Sequence, residues 1–100
     1  MRYQLVLQLP EDIMGYEEFI EIENSMITAL QGKANVDGHD MGAGEINFFV
    51  LTDDPEEVFK KIMELLNKET KKMLKAAYRE TESEKYVILW PKTLREFCVR

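Results

Sequence analysis

A short glycine turn between two extended segments constrains this chain more than any other feature. Residues 34–41 and 45–52 are separated only by Gly42-Ala43-Gly44. A turn this short leaves no room for a crossover connection, so the two segments must form an antiparallel hairpin. In the second segment, the run Phe48-Phe49-Val50-Leu51 is apolar on both faces. That run places its strand in the centre of a sheet or beneath a partner surface.

Helical patterns stand on both sides of this hairpin. Residues 16–31 repeat apolar side chains near a period of 3.6, with glutamates at most other positions, and the predicted buried stripe is Tyr16, Phe19, Ile20, Met26, Ile27 and Leu30. Gly32 is expected to cap this helix. The second helix is predicted from Pro55 to about residue 67, because Asp54 at the N-cap and Glu57 three residues later form the pattern of a capping box.

Extended segments begin and end the chain. Residues 2–9 alternate apolar and polar side chains until Pro10, and residues 86–90 are rich in strand-forming residues until Pro91. Residues 71–80 alternate through Leu74, Ala76 and Tyr78, which predicts a strand, with a helical extension over 71–77 as the alternative. Residues 92–100 are expected to form a short tail of one or two helical turns.

The order of these elements predicts an α+β protein. A β-α-β-β-α-β series followed by one more strand is typical of a ferredoxin-like sandwich, here a single domain over residues 1–100. Its antiparallel sheet would be covered on one face by two helices. The other face would carry Gln4, Val6, Gln8, Asn47, Phe49 and Leu51. Its apolar patch requires cover, by a second copy in a homodimer, by a partner protein or by the chain's own tail.

Charge is divided unevenly along the chain. The net charge is −6, but residues 1–57 carry −11 and residues 58–100 carry +5. An acidic protein repels phosphates, which argues against nucleic acid as a partner. The lysine-rich run Lys68, Lys71, Lys72 and Lys75 leaves a patch for RNA or an acidic molecule as an open alternative. The polarity favours self-association or an oppositely charged protein partner.

Composition also limits the compartment and the cofactors. Cys98 is the only cysteine, so it can form no internal disulfide, and zinc sites built on several thiolates are excluded. No apolar run reaches the roughly 18 residues that span a bilayer. The first residues resemble a strand more than a signal peptide. We therefore expect a cytoplasmic protein with no membrane contact and no cofactor.

Residues 37–45 concentrate the groups that could perform chemistry. The segment holds the only histidine, His39, together with Asp37, Asp40, Glu45 and three glycines. On a regular strand Asp37 and His39 share a face, so the carboxylate could orient the imidazole as a general base, or help it bind a divalent metal. The alternatives are a solvated turn, in which Gly38 marks a β-bulge, and a loop that recognises a partner.

One pattern resembles a known family. The residues VDGHDMGAGEINFFVLTDDP (36–55), with Tyr78-Arg79 and YVILWP (86–91), resemble small bacterial proteins that share the pattern DGHDxGxGExNxFxxTDDP. The resemblance extends over nearly the whole chain, and the hairpin motif is its specific part. The family has no established activity. The resemblance therefore implies a stand-alone cytoplasmic protein and assigns no catalytic residue.

These observations favour a non-enzymatic binding protein of an immunity or regulatory type, assembled as a homodimer through the open sheet face. The candidate binding residues are Asp37, His39, Asp40, Glu45, Asn47, Phe49 and Leu51. The alternative is a small metal-dependent or acid/base enzyme. Its catalytic candidates are His39 and Asp37, and its metal-ligand candidates are Asp37, His39 and Asp40.

Overall fold

The computed structural model describes residues 2–99, which form five strands and three α-helices. In chain order they are β1 (Tyr3–Pro10), α1 (Tyr16–Ala29), β2 (Ala34–Gly42), β3 (Glu45–Thr52), α2 (Pro55–Leu65), α3 (Lys68–Met73), β4 (Lys75–Glu80) and β5 (Val87–Trp90). A short 3-10 helix, Glu11–Ile13, joins β1 to α1. The predicted α+β class is confirmed.

The strands form one open antiparallel sheet in the order β2-β3-β1-β4-β5. β1 is the central strand, where Leu5 lies opposite Val50 of β3 on one side and Tyr78 of β4 on the other. α1 packs over β2 and against α2, while α2 packs over β1. The two long helices therefore cover one face, and β2 and β5 are the two edges of the sheet.

The helix-covered face of the sheet holds the main core. Its buried members are Leu5, Leu7, Leu9, Phe19, Met26, Leu30, Ile46, Phe48, Val50, Val58, Ile62, Leu66, Leu74 and Ala76. Each fully buried large apolar side chain stabilises the fold by ~1.5–3 kcal/mol relative to exposure. Two members of the predicted stripe of α1 are not part of this core, because Tyr16 and Ile27 are exposed.

The hairpin turn follows the sequence prediction closely. β2 continues to Gly42, and the connection to β3 is Ala43-Gly44, with φ values of +54° and +78°. Two successive residues with positive φ form the type I′ geometry, whose twist matches that of the flanking strands. Glycine adopts such values without strain, and its presence at the second turn position is therefore explained.

Residues 66–80 depart from the prediction. α2 ends at Leu65, the helix α3 occupies Lys68–Met73, and the strand expected from residue 71 begins only at Lys75. Asn67 explains the difference, because its Oδ1 accepts a hydrogen bond from the backbone N–H of Thr70 at 2.8 Å. This side-chain cap begins a new helix where the apolar alternation predicted a strand. The expected two helices are therefore three.

The last strand agrees with its prediction, whereas the tail that follows it does not. β5 at Val87–Trp90 confirms the predicted strand, and Trp90 packs against the main core. The tail contains a single turn, closed by the Leu94 N–H donating to the Pro91 carbonyl at 3.0 Å, and no helix up to residue 99. The prediction of helical turns in the tail is wrong beyond that turn.

The radius of gyration of 12.4 Å is close to the ~13 Å of a compact chain of this length. Within residues 2–99, no helix is both long enough and apolar enough to cross a membrane.

The start of α2 generates a stability prediction. Asp54 Oδ1 accepts from the Glu57 backbone N–H at 3.2 Å, whereas the Asp54 N–H donates to Thr52 Oγ1 at 3.0 Å, so half of the capping box is present. We expect Asp54→Ala to lower the free energy of unfolding by about 1 kcal/mol, measured by urea denaturation. Asp54→Asn keeps the acceptor and should stay within a few tenths of the wild type. Equal losses in both variants would contradict this role.

Candidate functional site

A β-bulge in β2 decides where the side chains of residues 37–45 point. Val36 lies opposite Val50 but Gly38 lies opposite Phe49, so Asp37 is an extra residue in the ladder. Gly38 has a φ of +112°, a conformation that glycine adopts far more readily than other residues. The predicted bulge is confirmed. It interrupts the strict alternation of faces, and the next residue, His39, lies opposite the core residue Phe48.

His39 consequently contacts helix α1. Its Nδ1 lies 2.9 Å from Oε2 of Glu23, and its ring is edge-on to Phe19, with a centroid separation of 5.1 Å. The side chains of His39 and Glu23 are 31 % and 14 % exposed. The expectation that Asp37 orients His39 is wrong, because Asp37 is itself the extra residue of the bulge and Glu23 is the carboxylate at Nδ1 of His39.

The other carboxylates of the segment do not join this pair. Asp37 and Asp40 are exposed on the edge strand, and Glu45 is half-buried opposite Gly42 at the start of β3. In the described part of the chain, no three His, Cys, Asp or Glu side chains form a group that could hold a metal ion. The candidate residues of the hairpin are thus brought to one edge of the sheet without converging on one point.

Sequence reasoning missed Glu23, although a signal for it exists. Glu23 follows Phe19 by four positions and precedes Met26 by three, and both of these residues are buried. Residues at these spacings share one face of a helix, so an acidic side chain there lies on the buried stripe. A carboxylate in that position requires a partner, which His39 supplies across the helix–sheet boundary.

The second face of the sheet is a separate candidate surface. Val6 lies on it between Phe49 of β3 and Ala77 of β4. Val6 and Ala77 are fully buried although neither belongs to the main core, whereas Phe49 and Leu51 are half-buried. Val6 is therefore closed to water, and the tail contacts the same face at Gln8, whose Nε2 donates to the Cys98 carbonyl. The chain's own tail was one of the three covers considered.

A buried amide pair fastens the tail to this face. Nε2 of Gln8 donates to Oδ1 of Asn47 at 2.9 Å and to the backbone carbonyl of Cys98 at 3.0 Å. Gln8 and Asn47 are only 3 % and 1 % exposed. Asn47 of β3 accepts only one of the two hydrogen bonds that the Gln8 amide nitrogen can donate, and the tail carbonyl accepts the other. A buried donor without a partner would cost ~1–3 kcal/mol. Of the predicted binding residues, Asn47 therefore has an internal partner.

Two shallow cavities flank the tail. One, of about 590 Å³, lies beside Gln8 and is lined by Glu45, Lys75 and the tail. The other, of about 550 Å³, lies by the β4–β5 connection near Arg79 and Tyr86. The Tyr86 ring packs edge-on against Phe97 of the tail at 4.9 Å between centroids. The tail residues Phe97 and Cys98 line both cavities.

Two displaced pKa values lie outside residues 37–45. A side-chain hydrogen bond from Lys61, together with the repulsion between the two ammonium groups, lowers the pKa of Lys33. Burial raises the pKa of Tyr78, with smaller contributions from Glu56 and Tyr3. Both shifts follow from local crowding on the surface and at the sheet, and neither marks a cleft with converging polar groups.

The bulge generates a second stability prediction. Gly38→Ala should lower the free energy of unfolding by ~1–3 kcal/mol, because alanine is strained at a φ of +112°. Gly15→Ala is the control, since a Cβ added to either glycine meets no heavy atom within 4 Å and Gly15 has an ordinary φ of −75°. Because Gly15 is the N-cap of α1, its own loss should be about 1 kcal/mol or less. Urea denaturation measures both. A loss no larger at Gly38 than at Gly15 would exclude the proposed backbone requirement.

The function has to be inferred from this geometry. No family model, no curated protein and no solved structure matches the chain.

Proposed function

We propose that this protein is a non-enzymatic interaction module that recognises a positively charged protein. The observation that carries the proposal is the charge of α1 and β2, which together hold six carboxylates and no lysine or arginine. They are Glu17, Glu18, Glu21, Glu23, Asp37 and Asp40. α1 packs over β2, and we call the surface of these two elements the acidic side; within it Glu23 is paired with His39.

Exposed apolar side chains accompany these carboxylates. Tyr16 is 71 % exposed and Met41 is 44 % exposed. The Tyr16 ring lies edge-on to Phe19 at 4.9 Å, Phe19 lies edge-on to His39, and Met41 follows His39 on the same face of β2. Aromatic and methionine anchors surrounded by a charged rim are the usual composition of a protein interface.

Two elements outside the acidic side have the reverse charge. α3 and β4 carry five cations against Glu69 and Glu80, and the cations are Lys68, Lys71, Lys72, Lys75 and Arg79. A protein polarised in this way is oriented by the field of a charged partner before contact, which raises the association rate more than the final affinity. The separation of charge favours a basic partner at the acidic side.

Affinity capture from a lysate of the source organism tests this proposal. We expect the wild type to retain a basic protein at low salt and release it at high salt. The double variant Asp37→Lys with Asp40→Lys should retain on the order of tenfold less of the same protein, because two attractive charges become repulsive. Tyr16→Ala should also reduce retention, because it removes the exposed anchor. Quantitative mass spectrometry of the identified protein is the measurement.

The matched control is Glu80→Lys with Glu82→Lys, which changes the net charge equally outside the acidic side. This variant should retain the partner like the wild type. Equal loss in both double variants would reduce the effect to overall charge and contradict an acidic-side interface. The proposal would also be contradicted if no captured basic protein depended on Asp37 and Asp40 for its retention.

A homodimer through the second sheet face is the other assembly that an observation favours. Phe49 and Leu51 remain half-buried beside the tail and offer apolar area to a second copy. Sedimentation equilibrium at high micromolar concentration should then detect a dimer, and Leu51→Asp should dissociate it by burying an unpaired charge. A wild-type monomer at that concentration would contradict the dimer. The acidic-side proposal does not depend on this result.

We also propose a ferredoxin-like classification for the fold. Its support is the strand order β2-β3-β1-β4, with α1 between β1 and β2 and α2 between β3 and β4, to which α3 and β5 are additions. A relation to the small bacterial family rests on the motif of residues 36–55, and a cytoplasmic location rests on the single cysteine. An acid/base enzyme at His39 has the Glu23 contact in its favour but no converging second group.

A further inference from the structure

An apolar groove lies between α2 and β5, away from the acidic side and the second sheet face. Its volume is about 540 Å³. Phe59 and Met63 of α2 form one wall, and Leu89 and Trp90 of β5 form the other. All four side chains are half-buried and rest on the main core. The groove is therefore lined by apolar side chains and is open to solvent.

A second β-bulge builds the wall on β5. Ile88 lies opposite Ala77 and Trp90 opposite Ala76, so Leu89 is an extra residue in the ladder. Both Leu89 and Trp90 pack towards the helix-covered core, where a regular strand would direct only one of them. The indole N–H of Trp90 donates to the carbonyl of Lys71 at 2.9 Å, which holds the ring in place. A wall held in this way is ordered before any ligand binds.

β5 is a short edge strand with a bulge at Leu89, but it presents no charged side chain. β5 consists of Val-Ile-Leu-Trp, and Val87 is 50 % exposed. The opposite edge, β2, differs in carrying the charged residues Asp37 and Asp40, and charged side chains are a common protection against pairing with another strand. An extended peptide can add to an uncharged, apolar edge through backbone hydrogen bonds, with alternate side chains entering an adjacent pocket.

We propose that this edge binds an extended acidic segment of another protein, which adds to β5 as a further strand and places apolar side chains in the groove. Lys60 and Lys92 stand at the rim against the single carboxylate of Glu56, and residues 58–100 carry a net charge of +5. Both favour an acidic ligand. A second copy paired β5 to β5 about a two-fold axis would instead bring like-charged rims together, which disfavours a symmetric dimer here.

The fluorescence of Trp90, the only tryptophan, reports directly on the groove. The probe is a short synthetic peptide in which glutamate alternates with leucine and phenylalanine. We expect a saturable change in Trp90 emission, together with amide chemical-shift changes at residues 87–90. Lys60→Glu with Lys92→Glu should weaken binding by about tenfold or more, because both rim cations become repulsive.

The control variant Lys68→Glu with Lys75→Glu makes the same change of net charge away from the groove and should bind like the wild type. A peptide with proline in place of a central leucine should not bind, because proline cannot donate to the ladder. All substituted lysines except Lys60 and Lys92 lie outside the groove, and circular dichroism verifies that each variant is folded. Retained binding of the proline peptide would overturn the added-strand geometry.

Three further results would overturn the proposal. The first is unchanged Trp90 emission with the wild type up to about 1 mM peptide, which is weaker than any useful docking. The second is equal weakening by both double-lysine variants, which would indicate general charge attraction. The third is a Trp90 change that depends on protein concentration alone, which would identify a second copy as the occupant.

Discussion

Five consecutive residues of the central strand, Leu5 to Leu9, are withdrawn from water, and the rest of the structure depends on covering both sides of them. The helices α1 and α2 cover the side with three leucines. The other side carries Val6 and Gln8, and Gln8 is a polar residue that can be buried only if its amide is fully hydrogen-bonded. Asn47 and the carbonyl of Cys98 accept the two hydrogen bonds that Nε2 of Gln8 can donate, so the tail belongs to the folded unit.

Local signals predicted much of this fold because each lies within a few residues of what it determines. The turn at Ala43-Gly44, the Asp54 cap and the breaks at the prolines belong to this class, and the order of strands and helices follows from them. The cap at Asn67 is equally local, but the apolar alternation that begins at Leu74 obscured it. A bulge at Gly38 was suspected from the sequence, but the register of β2 could be predicted correctly only if the extra residue, Asp37, was also identified.

Long-range contacts account for what the sequence could not disclose. The pairing of His39 with Glu23 depends on one extra residue in β2, which turns the imidazole towards the helices. The contact of Gln8 with the tail joins groups that are 90 positions apart. Sequence periodicity relates only residues a few positions apart, so it could not predict either contact. The candidate site was therefore identified as a segment, residues 37–45, but not as an arrangement of side chains.

Because the chain is synthesised from its N-terminus, the tail contact can form only late in folding. β1 emerges early, but the residues that cover its second face come 90 positions later. β3 and β4 can pair with β1, and β5 with β4, before the tail carbonyl reaches the Gln8 amide. A nascent or shortened chain that lacks the tail therefore leaves the Gln8 amide without one acceptor, which keeps this face of the sheet less stable and more open to chaperones and aggregation.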